Sequence, residues 1–216
     1  IFAKIESFAY NPGLIHISID NSGSMHGTRF ENAQKAAVAI AKACSMIENM
    51  DCIISYRSSA NFGGDRWNHS NRDVKPVVLI AYDSRIHGMA QIKTLLPYVE
   101  TASLTPEGLC FEAIMKDIVE ASRGKDSYFV NMCDGAPYYN DYWGEKAVEH
   151  TKAQVKKMRY EGIKVISYFI TSSMDKASSR DSGQFKRMYG IDSQFVDTNK
   201  ITEIARTMNS KFLETV

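Results

Sequence analysis

With 216 residues and a formal net charge of +1, the chain suits one domain with a full central sheet, and the charge argues against a dominant electrostatic attraction to nucleic acid. The composition, 44% hydrophobic and 24% charged, is that of an ordinary globular protein. No apolar stretch approaches the ~20 residues that cross a bilayer, and no signal-peptide pattern opens the chain.

In chain order, the nearly continuous apolar run Leu14–Ile19 predicts a strand covered on both faces. Thr28-Arg29-Phe30-Glu31 has the form of a capping box, and Phe30, Ala33, Ala37, Ile40, Ala41, Cys44 and Ile47 continue at helical spacing. Asp51–Tyr56 and Pro76–Tyr82 read as strands, with a polar insertion between them at about 57–75. Gln91–Tyr98 predicts a short helix. Thr105-Pro106-Glu107 opens another, with Pro at the first helical position and an acid in the first turn. Tyr128–Cys133 is a strand, Glu145–Tyr160 a helix and Ile163–Ile170 a strand. Ser172–Gly183 reads as a loop and Phe185–Tyr189 as a helical turn. Gln194–Val196 and Asn199–Leu213 supply a last strand and a closing helix.

Strands alternating with helices predict an α/β fold: a doubly wound, mostly parallel sheet with helices on both faces. One domain is expected over 1–216, its core at about 14–214; because the chain begins at Ile1, an N-terminal region is expected to precede it. Cys44, Cys52, Cys110 and Cys133 show no Cys-x-x-Cys spacing and read as buried packing thiols, which favours a cytoplasmic setting.

In such sheets ligands bind at the carboxyl ends of strands. Three loops there carry oxygen donors. Asp20-x-Ser22-x-Ser24 places one carboxylate and two hydroxyls two residues apart, Thr105 adds a hydroxyl, and Asp134 adds a carboxylate. Hard oxygens in that number suit Mg²⁺, with Mn²⁺ or Ca²⁺ as alternatives, and not zinc or copper. Each piece also reads as local structure: Asp20-Asn21-Ser22-Gly23 as a turn, Thr105 as a helix cap, Asp134-Gly135 as a strand-end turn. Their joint occurrence, in order and each at the right end of its element, favours the metal. Gly23 and Gly135 fit tight turns within these loops.

The strings Ile19-Asp20-Asn21-Ser22-Gly23-Ser24-Met25, Leu104-Thr105-Pro106-Glu107-Gly108 and Cys133-Asp134-Gly135-Ala136-Pro137 resemble those of a von Willebrand factor A-type (VWA) domain with a metal-ion-dependent adhesion site. The likeness covers Leu14 to Leu213. Within that superfamily the Asp-Asn-Ser-Gly-Ser-Met and Asp-Gly-Ala-Pro strings are most similar to the VWA domain of cobaltochelatase T-type subunits and their phage-encoded relatives. The resemblance implies a six-stranded sheet with one antiparallel edge strand. It also implies Mg²⁺ held by Asp20, Ser22, Ser24, Thr105 and Asp134, an exchangeable position taken by a partner protein's Asp or Glu, and no catalytic activity of the chain's own. Its narrower form implies work beside an AAA+ ATPase in metal insertion into a tetrapyrrole; a phage assembly or structural module is the other alternative. Neither nucleic acid nor membrane is expected as a partner.

The aromatic run Tyr138–Trp143 follows the third loop at once and reads either as a rim of the site or as packing over the sheet edge. The histidines share no ligand spacing: His16 reads as structural and His26 as a solvated loop residue. No P-loop and no Gly-x-Ser-x-Gly elbow is present.

Overall fold

All eight residues of the first strand, β1 (Gly13–Asp20), are buried, as a strand with neighbours on both edges and helices on both faces must be. The computed structural model describes residues 12–61, 74–102, 104–139, 141–171 and 179–197, together with 200 and 204. After β1 come α1 (Thr28–Cys44), β2 (Met50–Asn61), β3 (Val74–Asp83), α2 (Ala90–Leu95) and α3 (Glu107–Ser122). Then follow β4 (Asp126–Cys133), β5 (Tyr138–Tyr139), β6 (Tyr142–Trp143), α4 (Gly144–Tyr160), β7 (Lys164–Thr171), α5 (Ser179–Tyr189) and β8 (Ser193–Asp197).

The main sheet has six strands in the order β3-β2-β1-β4-β7-β8. β3 pairs antiparallel with β2, and every other pair is parallel. Pro76 lies in β3, the edge strand, where a missing backbone donor is tolerated. Because successive side chains point to opposite faces, β4 splits its residues between two cores, and the isoleucines of β1 join one of them. Ile15, Ile17, Ile19, Val130 and Met132 pack with Phe30, Ala33, Ala37 and Ile40 of α1. Phe129 and Cys133 pack with Phe111 of α3, Val148 of α4 and Phe185 of α5. The α/β class, the antiparallel edge and the helices on both faces therefore match the sequence reading.

Several local expectations change. The insertion is shorter than 57–75: β2 runs on to Asn61 and β3 begins at Val74, because Ser55, Arg57 and Ser59 continue the strand alternation with buried side chains. Residues 62–73 of it lie outside the described residues, as do 172–178, the first eleven residues and nearly all of the expected closing helix. Ser179–Gly183 belongs to α5 and not to a loop. The capping box does not form: the N-cap of α1 is Gly27, at φ 81°, and Thr28 is already the first helical residue. That helix stops at Cys44, leaving Ile47 exposed.

Candidate metal centre

β1 and β4 are neighbours, yet the chain leaves β1 toward β2 on one side and enters β4 on the other. The crevice at their carboxyl ends is the switch point of the sheet. Asp20 ends β1 and Asp134 follows Cys133, the last residue of β4. The loop before α3 is fastened to the ends of β1 and β2: Ala102 N–H donates to Asn21 O (2.9 Å) and Leu104 N–H donates to Ser59 Oγ (3.2 Å), while Asn21 N–H donates to Arg57 O (2.9 Å).

The five sequence-predicted residues meet there. Ser22 N–H donates to Asp20 Oδ1 at 2.9 Å, closing the turn, and Thr105 Oγ1 donates to Asp20 Oδ2 at 3.4 Å. The Ser22 and Ser24 hydroxyls are 3.0 Å apart, and Ser24 Oγ donates to Asp134 Oδ1 at 2.8 Å. Thr105 is not a helix cap: the N-cap of α3 is Pro106 and the helix starts one residue later than expected, at Glu107. Neither Gly23 nor Gly135 has a positive φ, so neither position needs the left-handed freedom of glycine.

Asp20, Ser22 and Thr105 are buried while Ser24 is exposed, so the cluster opens to solvent on one side. Burial pushes the Asp20 carboxyl up to about 6; the Arg57 guanidinium and the Ser22 amide oppose this, and the Asp134 and Glu107 charges reinforce it. A buried carboxylate so poorly solvated is a group that a cation would stabilise. Among the described residues no three His, Cys, Asp or Glu side chains gather at one point. Among the described residues a divalent-ion site would draw on hydroxyls as well as carboxylates, and this donor set, two carboxylates and three hydroxyls, fits a hard cation such as Mg²⁺.

Three neighbours of the cluster escaped the sequence reading. Arg29, in the first turn of α1, donates through Nη1 to Asp134 Oδ2 (2.9 Å) and to Ser24 O (3.0 Å). Arg57 and Glu107 form a buried ion pair, Nη2 to Oε1 at 2.8 Å, with side chains 1% and 0% exposed. Arg57 Nη1 also donates to Ser18 O (2.9 Å), and Asn131 Nδ2 donates to Glu107 Oε1 (3.1 Å). One signal pointed to this face: His16, Ser18 and Asp20 alternate with isoleucines inside a strand buried on both sides.

The aromatic run divides. Tyr139 and Tyr142 pack inward against Ala147, Leu104 and Leu109, while the cross-strand pair Tyr138–Trp143 faces solvent, each residue 59% exposed. Tyr138 is bound to the candidate ligand loop by reciprocal backbone bonds with Thr105, both 3.0 Å. His16 is buried with Nε2 2.8 Å from Ser55 Oγ, and His26 is exposed, its Nδ1 3.1 Å from Thr101 Oγ1.

No protein-family model and no curated protein matches the sequence. Solved structures do. The pilus adhesin SpaC from Lactobacillus rhamnosus GG in its open conformation aligns with a TM-score of 0.69 at 10% identity, over 96% of this chain and 30% of that one. Manganese-loaded Plasmodium vivax TRAP protein aligns at 0.55 and 9% identity, over 88% of this chain and 70% of that one. The three N-terminal domains of the type V pili tip protein Mfa5 from Porphyromonas gingivalis align at 0.55 and 11% identity, over 87% and 47%. The chain thus spans less than a third of the SpaC chain it resembles. These likenesses lie far below the identity at which function transfers, and what they establish is architecture: this chain has a VWA-like α/β fold.

Proposed function

We propose that the chain is a metal-dependent protein-binding module that holds Mg²⁺ through Asp20, Ser22, Ser24, Thr105 and Asp134 and recruits an Asp or Glu of a partner protein. The observation that carries this reading is the unbroken series of contacts from Thr105 through Asp20, Ser22 and Ser24 to Asp134, gathered at the strand switch point. A cation there would supply an electrophilic position for an external carboxylate. The chain's own residues do the rest: the Arg57–Glu107 pair fixes the floor, Arg29 holds Asp134, and the exposed Tyr138–Trp143 pair offers apolar contact beside the site. The manganese in the TRAP neighbour is a property of that protein and is consistent with the reading. Four buried cysteines used as packing residues support a cytoplasmic setting.

A narrower reading, a chelatase-type subunit beside an AAA+ ATPase, rests on the Asp20–Met25 and Asp134–Pro137 strings alone; Mg²⁺-dependent co-purification with a ring ATPase separates it from the general one.

Thermal unfolding tests the general reading. Mg²⁺ is expected to raise the melting temperature of the wild type, by mass action on the folded state, and to leave that of Asp20→Ala unmoved. Equal shifts in both proteins, or none in either, would remove the ion from this site.

A further inference from the structure

Arg29 has a place in this site that no metal ligand set requires. Its guanidinium, 21% exposed, lies against the Asp134 carboxylate, 4% exposed, and bonds the backbone oxygen of Ser24 with the same nitrogen. It is therefore in contact with two of the loops that supply donors, on the side where the exposed Ser24 opens the cluster to solvent.

Charge counting gives that position a consequence. Among the described residues, Asp20 and Asp134 bring two negative charges to the cluster and Arg29 brings one positive charge, while the Arg57–Glu107 pair beside them is neutral in sum. Counted over these residues, one net negative charge remains. A bound divalent cation converts it to one net positive charge, which a single external carboxylate neutralises. Without Arg29 the same cation already brings the cluster to neutrality, and an incoming carboxylate then leaves an excess of negative charge in a partly buried place, which is unfavourable.

Resting on the function proposed above, we infer that Arg29 sets the balance of the site: it weakens cation binding by occupying Asp134, and strengthens the capture of a carboxylate ligand by keeping the loaded site positive. The two effects have opposite sign and come from one side chain. A purely structural role for Arg29, holding the third loop in place, would weaken both steps together.

The test compares wild type with Arg29→Gln, Arg29→Lys and Lys35→Gln, at low ionic strength so that screening does not hide a part-exposed charge. Lys35 is an exposed cation on the same helix, paired with Glu31, and controls for loss of charge in general. Calorimetric titration with Mg²⁺ alone is expected to show Arg29→Gln binding about tenfold more tightly than wild type, from one charge removed at close range. Acetate added to the Mn²⁺-loaded protein, followed by water-proton relaxation as it displaces metal-bound water, is expected to bind several-fold more weakly to Arg29→Gln. Arg29→Lys keeps the charge and stays within about twofold of wild type in both titrations, as does Lys35→Gln. Arg29→Gln binding Mg²⁺ no more tightly, or acetate no more weakly, overturns the inference while leaving the metal site standing. If Arg29→Gln fails to fold, Arg29→Met carries the same two titrations. Wild type binding no Mg²⁺ at all would overturn the proposed function, and this inference with it.

Discussion

Arg57 and Glu107 show how a single buried pair can hold a site in shape and still be expensive. Their ion pair is closed to solvent, and Arg57 Nε, Glu107 Oε2 and Asn131 Oδ1 have no hydrogen-bond partner among the described residues. Desolvation of that kind offsets much of the Coulombic gain, whereas removal of one partner strands a buried charge. Glu107→Ala is expected to lower stability by about 3–5 kcal/mol in urea denaturation. The double substitution Arg57→Met with Glu107→Leu is expected to cost less than either single change. A double variant as unstable as the sum of the two would show that the pair is worth its desolvation. That Asp20, Ser22, Ser24, Thr105 and Asp134 lie together was legible because each belongs to a short string at the end of its element. Arg57, Glu107 and Arg29 were not. A charge read along the chain defaults to solvent, and only the fold brings residues from β2, α3 and α1 to one point.

At the scale of elements, the β5–β6 hairpin is the part that most needs its neighbours. Its two-residue strands could not stand alone in water. The Tyr142 hydroxyl anchors it, donating to Ala147 O at 3.2 Å and lying 2.9 Å from His150 Nδ1. Gly108 makes room for that anchor: a Cβ there would overlap the Tyr142 hydroxyl and sit 2.7 Å from Thr151 Oγ1. Gly108→Ala is expected to destabilise the protein by about 1–3 kcal/mol, as overpacking does. Adding Tyr142→Phe should recover part of the loss in the same urea titration; no recovery would locate the clash elsewhere. Element types were readable from periodicity, since buried strands and one-sided helices leave strong patterns. Element ends were not. Tertiary contacts decided them, extending β2 to Asn61, starting α5 at Ser179, and replacing the Thr28 cap by a glycine turn.

For the molecule as a whole, two buried groups give stability an opposed dependence on pH. Burial lowers the His16 imidazole to about 4, so the unfolded chain, with an ordinary histidine near 6.5, binds the extra proton between those values. Its contribution is present above pH 6.5 and is lost as pH falls toward 4. Burial raises the Asp20 carboxyl to about 6, so in the absence of cation its contribution runs the other way, lost as pH rises from about 3.8 to 6. The two mask each other in the wild type. Comparison with His16→Gln isolates the first: the stability difference between the proteins is expected to narrow by up to about 1.4 kcal/mol per pH unit on acidification through that window. A constant difference would mean that His16 titrates alike in both states. The sheet itself was legible as a strand–helix alternation, whereas the strand order is not contained in periodicity, and connection rules only narrow it.

The contacts that assemble the donor cluster join residues 85 and 110 positions apart in the chain. No proteolytic fragment or partly folded intermediate that lacks the central strands can reproduce it. Occupancy by a cation would accordingly report on the integrity of the entire sheet, and would raise the unfolding free energy by about 2.7 kcal/mol at a hundredfold excess over the dissociation constant.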